Sequence, residues 1–109
     1  MCPHFHAAVE LIGRRWAGAI LWALSERRHY FAELSLAVPG LSDRLLSLRL
    51  RELESEGLVT RSVEGGNGAR PRVSYALTDK GRALAPVLRE LRDWAGEWNA
   101  GARAAARPS

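Results

Sequence analysis

The sequence predicts a mainly α fold that carries one small β-hairpin, an α+β chain in which helices come first and last. Three observations predict it. Apolar residues recur at helical spacing through residues 5–56 and again beyond residue 78. Two six-residue runs, 58–63 and 72–77, alternate in polarity and are rich in β-branched residues. Between them lies the loop-like stretch Glu64-Gly-Gly-Asn-Gly-Ala-Arg-Pro71, which suits a hairpin connection.

The elements follow in order. A first helix is expected from Phe5 to Ile12, with Phe5, Ala8, Val9 and Ile12 on one face, and Gly13 ends it. A second runs from Trp16 to Ser25, with Ile20, Leu21 and Leu24 inward and Trp16 in the core. Tyr30 to Ala37 reads as a short third helix that buries Phe31, Leu34 and Ala37. Pro39-Gly40 is a turn signal. Ser42 is then a good N-cap, with Asp43 at the positive end of a fourth helix that runs to Glu56 and stops at Gly57. The strands Leu58–Val63 and Arg72–Leu77 make the hairpin. Thr78 caps a last, long helix whose apolar positions are Leu84, Val87 or Leu88, Leu91, Trp94 or Ala95, and Trp98, a heptad-like seam.

This order defines a winged helix-turn-helix with a long C-terminal dimerisation helix. The third and fourth helices cross at the Pro39-Gly40 turn. The fourth then offers one face to the core and the other to a DNA major groove, while the hairpin, the wing, reaches along the backbone. Leu46, Leu50 and Leu53 form the core stripe. Arg44, Ser47, Leu48 and Arg51 share the opposite face. Over residues 41–51, Arg44, Arg49 and Arg51 stand against Asp43, so three cations face one anion. Over 61–72, Arg61, Arg70 and Arg72 stand against Glu64, the same balance. The candidate DNA-binding residues are therefore Ser42, Arg44, Ser47, Leu48, Arg49, Arg51, Arg70 and Arg72. Arg44 is placed to grip a guanine edge, and Arg70 and Arg72 to meet phosphates or the minor groove. Arg14 and Arg15, just before a helix, are further candidates for phosphate, whereas Arg27 and Arg28 read as a solvated turn.

Composition agrees. The chain has 109 residues and a formal charge of +4, with 16 cationic side chains, all arginine except Lys80. That length suits one domain over 1–109, with a DNA-binding core at about 5–77, the dimerisation helix at 78–100 and a flexible tail at 101–109. No membrane-length apolar run and no signal-peptide pattern stand in it, so a cytoplasmic protein is expected.

Catalytic machinery is not expected. There is no carboxylate pair or nucleophile–base set, and Gly65-Gly-Asn-Gly68 lacks the lysine and context of a phosphate loop. No cofactor and no metal are expected either. Cys2-Pro-His4-Phe-His6 gathers one thiol and two imidazoles, but a solvated N-terminus accounts for it better than a metal site. Trp94 and Trp98 read as interface packing, with the lining of a ligand pocket as the alternative.

Seven stretches resemble the HxlR-type family of winged-helix regulators. They are Cys2-Pro3; Leu11-Ile-Gly-Arg-Arg-Trp16; Tyr30-Phe-Ala-Glu-Leu34; Pro39-Gly-Leu-Ser42; Leu50-Arg-Glu-Leu-Glu-Ser-Glu-Gly-Leu-Val59; Pro71-Arg-Val-Ser-Tyr75; and Leu77-Thr-Asp-Lys-Gly81. The resemblance covers residues 2–98. It implies a homodimer on a roughly palindromic operator in double-stranded DNA, with the first and last helices at the dimer contact. Phe5, Val9, Leu84, Leu88, Leu91, Trp94 and Trp98 are then the candidate interface. It also implies an effector, a redox signal or a small molecule, with Cys2 as the candidate redox residue. Two departures are Asp43 and Leu48, where the family often has proline and glutamine, so no operator sequence carries over. A winged helix used only as a protein-interaction module is the alternative, and the apolar Leu48 is its one hint.

Overall fold

The computed structural model describes residues 2–68 and 70–106. In chain order the elements are α1 (Pro3–Ile12), α2 (Ala17–Glu26), β1 (His29–Tyr30), α3 (Phe31–Ala37), α4 (Asp43–Ser55), β2 (Val59–Glu64), β3 (Arg72–Leu77) and α5 (Asp79–Ala106). The five helices and the hairpin stand where the sequence places them, with ends displaced by one or two residues except at the far end of α5. That helix continues to Ala106, past its expected end near residue 100; the rest of the expected tail lies outside the described residues. Among the described residues no helix is long and apolar enough to cross a membrane.

The core gathers apolar residues of α2, α3, α4, the hairpin and α5. Ile20, Leu21 and Leu24 of α2, Leu34 of α3, and Leu46, Leu50 and Leu53 of α4 meet Leu58, Val59, Tyr75 and Leu77 of the sheet end and Leu88 of α5. Local signals hold α4 at both ends. The Ser42 hydroxyl accepts the Leu45 N–H at 3.1 Å, as an N-cap does. At the other end Gly57 adopts φ +77°. Its N–H donates to the Glu54 carbonyl while the Leu58 N–H reaches back to Leu53, both at 3.0 Å. This Schellman closure needs the left-handed residue that glycine supplies, and it delivers Leu58 into the core. Thr78 starts α5 by accepting the Gly81 N–H at 3.1 Å and donating to the Gly57 carbonyl at 2.6 Å.

Three details differ from the sequence expectations. The hairpin gains a third strand: β1 pairs antiparallel with β3, His29 opposite Tyr75 and Tyr30 opposite Ser74, giving the order β1-β3-β2. Two residues are too few for an alternation to show, so Tyr30 reads as helix from sequence alone. Ala37 is exposed rather than buried, because Val38 takes the inward place, and Phe31 is only half-buried. Trp16 does not open α2 but precedes it at φ +74°, a left-handed backbone that bulky residues rarely adopt. It is half-buried, packed against the core, with its ring beside Gly40 of the helix-turn-helix turn.

Candidate nucleic-acid interface

Leu46, Leu50 and Leu53 are at most 1% exposed, and they lock one face of α4 inward. The opposite face is thereby forced outward. Arg44, Leu48 and Arg51 are exposed on it, and Ser47 is half-buried at its edge. Among the described residues neither Arg44 nor Arg51 makes an ion pair, so both guanidinium groups keep their donors for a ligand. Asp43, the first residue of α4, accepts a hydrogen bond from the Ser35 hydroxyl at 2.8 Å.

Arg49 is placed differently from Arg44 and Arg51. Its side chain is only 17% exposed and turns across the helix. There it donates to the Arg15 carbonyl at 2.9 Å and pairs with Glu52 at 2.7 Å. Glu52 also pairs with Arg14. These contacts tie the α1–α2 connection to α4. Arg49 and Arg14, both read as candidates for DNA from sequence, are thus paired with Glu52 within the chain. One anion between two cations across 38 residues of chain leaves no local pattern to read.

The wing carries Arg61 and Arg70 in solvent. Arg72 is exposed but not an isolated arm: its guanidinium carbon lies 3.7 Å from the ring centroid of Tyr30, a close cation–π stack. Tyr30 also donates its hydroxyl to Glu64 at 2.9 Å, and Glu64 pairs with Arg28 at 2.9 Å. The base of the wing is therefore braced against β1 by Tyr30, Glu64, Arg28 and Arg72. Arg27 and Arg28 are not a merely solvated turn, since Arg27 pairs with Glu33. The Tyr30 N–H and Arg27 together hold the Glu33 carboxyl below its ordinary range.

A second surface is apolar. Val87, Leu91, Trp94 and Trp98 are all half or more exposed, or nearly so, at steps of four, three and four along α5. Of the two alternatives at the second seam position, Val87 faces out. Leu88, expected at a dimer contact, is 7% exposed and belongs to the core of its own chain, and Leu84 packs partly against that core. Phe5 and Val9 are exposed on α1, a helix with no fully buried residue, whose Leu11 and Ile12 pack half-buried against the core. Between α1 and α5 lies a cleft of about 500 Å³, lined by His4, Ala8, Leu11, Lys80 and Leu84 among others. Cys2 is exposed just before α1.

Helices with a capped, outward-facing basic helix, then a hairpin, then a long helix define the class: this is a winged helix-turn-helix protein. The chain belongs to the HxlR-like helix-turn-helix family, whose model matches residues 11–102. It is 47% identical over 98 residues to the uncharacterized HTH-type transcriptional regulator YvaP of Bacillus subtilis, covering 90% of this chain and 89% of that one. The reduced form of the transcriptional regulator YodB from B. subtilis superposes with a TM-score of 0.79 at 37% identity, over 90% of this chain and 94% of that one. YodB has also been solved in diamide-treated and quinone-bound forms. The redox regulator HypR in its reduced form matches with a TM-score of 0.82 at 31% identity, over 94% and 98% of the two chains.

Proposed function

We propose that this protein is a cytoplasmic transcription regulator that binds a roughly palindromic operator in double-stranded DNA as a homodimer. One observation carries the reading. One face of α4 presents Arg44, Leu48 and Arg51 to solvent while the core grips its other face. Arg44 near the inserted end is the guanine reader. Leu48 packs on a thymine methyl, Ser47 adds a weaker polar contact, and Arg51 lies nearer the phosphates. Ser42 serves by capping the helix. Arg70 and Arg72 contact phosphates from the wing, Arg72 with less ordering cost because Tyr30 already holds it. Membership of a family of transcription regulators supports the same reading.

Binding-site selection on two variants tests it. Arg44→Ala relaxes the preference at one base pair per half-site by about 1–3 kcal/mol, the worth of a bidentate guanine contact. Arg51→Ala lowers specific and non-specific affinity together. If Arg44→Ala keeps every wild-type preference and loses only overall affinity, Arg44 is a phosphate contact and this docking is wrong.

The dimer rests on α1 and α5. A helix that leaves Phe5 and Val9 exposed and only half-buries Leu11 and Ile12, beside a seam of four exposed apolar side chains, needs a second surface. The effector is redox in character, in keeping with HypR, a solved relative described as a redox regulator. Peroxide takes two electrons and two protons from a pair of Cys2 thiols, forming one S–S bond across the dimer and two waters. Non-reducing gels after mild peroxide then show a crosslinked dimer that Cys2→Ser lacks, with altered operator binding only in the wild type. Equal binding by both proteins and no crosslink remove Cys2 from the mechanism.

A further inference from the structure

We propose that Asp43 is a specificity-determining residue, its carboxylate accepting a hydrogen bond from the exocyclic amino group of a cytosine in the major groove. Ser35 is the positioning residue that aims it. The inference rests on the DNA-binding reading of α4 above.

Asp43 is the first residue of α4, exposed, and next to Arg44 at the end of the helix that enters the groove. Its carboxylate is not needed as the helix cap, because the Ser42 hydroxyl already accepts the Leu45 N–H. Nor does it sit in an ion pair among the described residues. Its one polar contact there is the Ser35 hydroxyl of α3, which donates to Oδ1 at 2.8 Å. That bond restrains Oδ1 toward α3 and leaves Oδ2 as an acceptor.

An anion at this place is repelled by every phosphate, and a hydrogen bond from a base edge offsets that cost. In the major groove only two base groups donate, the amino groups of cytosine and adenine. Adenine sets its N7 lone pair beside its amino group, and a carboxylate, which only accepts, meets that lone pair with repulsion. Cytosine sets a C–H there instead. The adjoining Arg44 only donates and so favours guanine. Neighbouring residues, one acceptor and one donor, thus read the two partners of C·G pairs.

Selection from a random duplex library, run with wild type, Asp43→Asn and Ser35→Ala, tests the proposal. The wild type enriches cytosine at one position per half-site, distinct from the position that Arg44→Ala relaxes or on its opposite strand. Asp43→Asn is isosteric and keeps the hydrogen bond from Ser35. It loses that preference at least fivefold and turns toward adenine, whose N6 and N7 suit an amide. Its affinity for non-specific DNA rises, since the repulsion is gone. Ser35→Ala weakens the cytosine preference at the same position and at no other, with an unchanged melting temperature. If Asp43→Asn binds all sequences more tightly and keeps every preference, Asp43 acts only through its charge and the proposal is overturned. If the wild type enriches no sequence, the DNA-binding reading itself fails, and this inference with it.

Discussion

Trp94→Glu splits the protein into monomers and abolishes tight operator binding. The indole is 58% exposed in the single chain and sits in the middle of the seam formed by Val87, Leu91 and Trp98. That spacing keeps one apolar stripe on one side of α5, and two such stripes pack as coiled-coil neighbours do. Tryptophan at the centre of a contact is the residue type that most often dominates binding, with about 2 kcal/mol or more lost on truncation. A glutamate there adds the cost of burying a charge without a partner. Light scattering at micromolar concentration therefore reads twice the 12.0 kDa chain mass for the wild type and the single-chain mass for Trp94→Glu.

The DNA consequence is larger than the interface energy. In a dimer, engagement of one half-site raises the effective concentration of the other reading head, which multiplies affinity by roughly 10²–10⁴. Trp94→Glu should forfeit that factor on a two-half-site operator and lose little on a single half-site. A wild type of 12.0 kDa in solution, or a variant that stays dimeric with full operator affinity, sinks the α5 dimer.

Gly81→Ala is the largest expected loss of stability. A Cβ at position 81 would stand 2.2 Å from the Leu58 carbonyl oxygen and 3.1 Å from Cδ2 of Leu77. Neither neighbour can yield easily. The Leu58 carbonyl accepts the Thr78 N–H at 3.0 Å, and Leu77 is buried in the core. The start of α5 must move off the sheet, and overpacking of this kind costs about 1–3 kcal/mol or more. In a chain of this size that lowers the melting temperature by roughly 5–20 °C. Gly96→Ala is the matched control, because a Cβ there meets nothing within 4 Å. It should be neutral or slightly stabilising, as alanine is the better helix former. Melting at equal protein concentration decides; a Gly81→Ala protein that melts within 2 °C or so of wild type would mean the helix is not held against Leu58.

These two residues mark opposite degrees of legibility. The seam was visible in the spacing of Leu91, Trp94 and Trp98, because helical periodicity is a property of the chain alone. Which of Val87 and Leu88 completed it was not, since adjacent positions differ by 100° and only the docking of α5 on α2 turns Leu88 inward. Gly81 closes the stretch Leu77-Thr-Asp-Lys-Gly81, yet its reason is a carbonyl 23 residues away in sequence, and no local pattern encodes that approach.

The same division runs through the DNA face. Patterning by itself determined the order of helices, the hairpin, the Ser42 and Thr78 caps and the outward face of Arg44 and Arg51, because amphipathic spacing and capping act within a few residues. Tertiary structure alone decided which arginines pair within the chain. Arg49 carries the same side chain as Arg44 five residues on, but folding sets it beside Glu52 and the Arg15 carbonyl. Arg72 likewise meets Tyr30 only when β1 joins the sheet. A charge announces its sign in the sequence, whereas its partner is fixed by contacts between segments tens of residues apart, and those exist only in the folded chain.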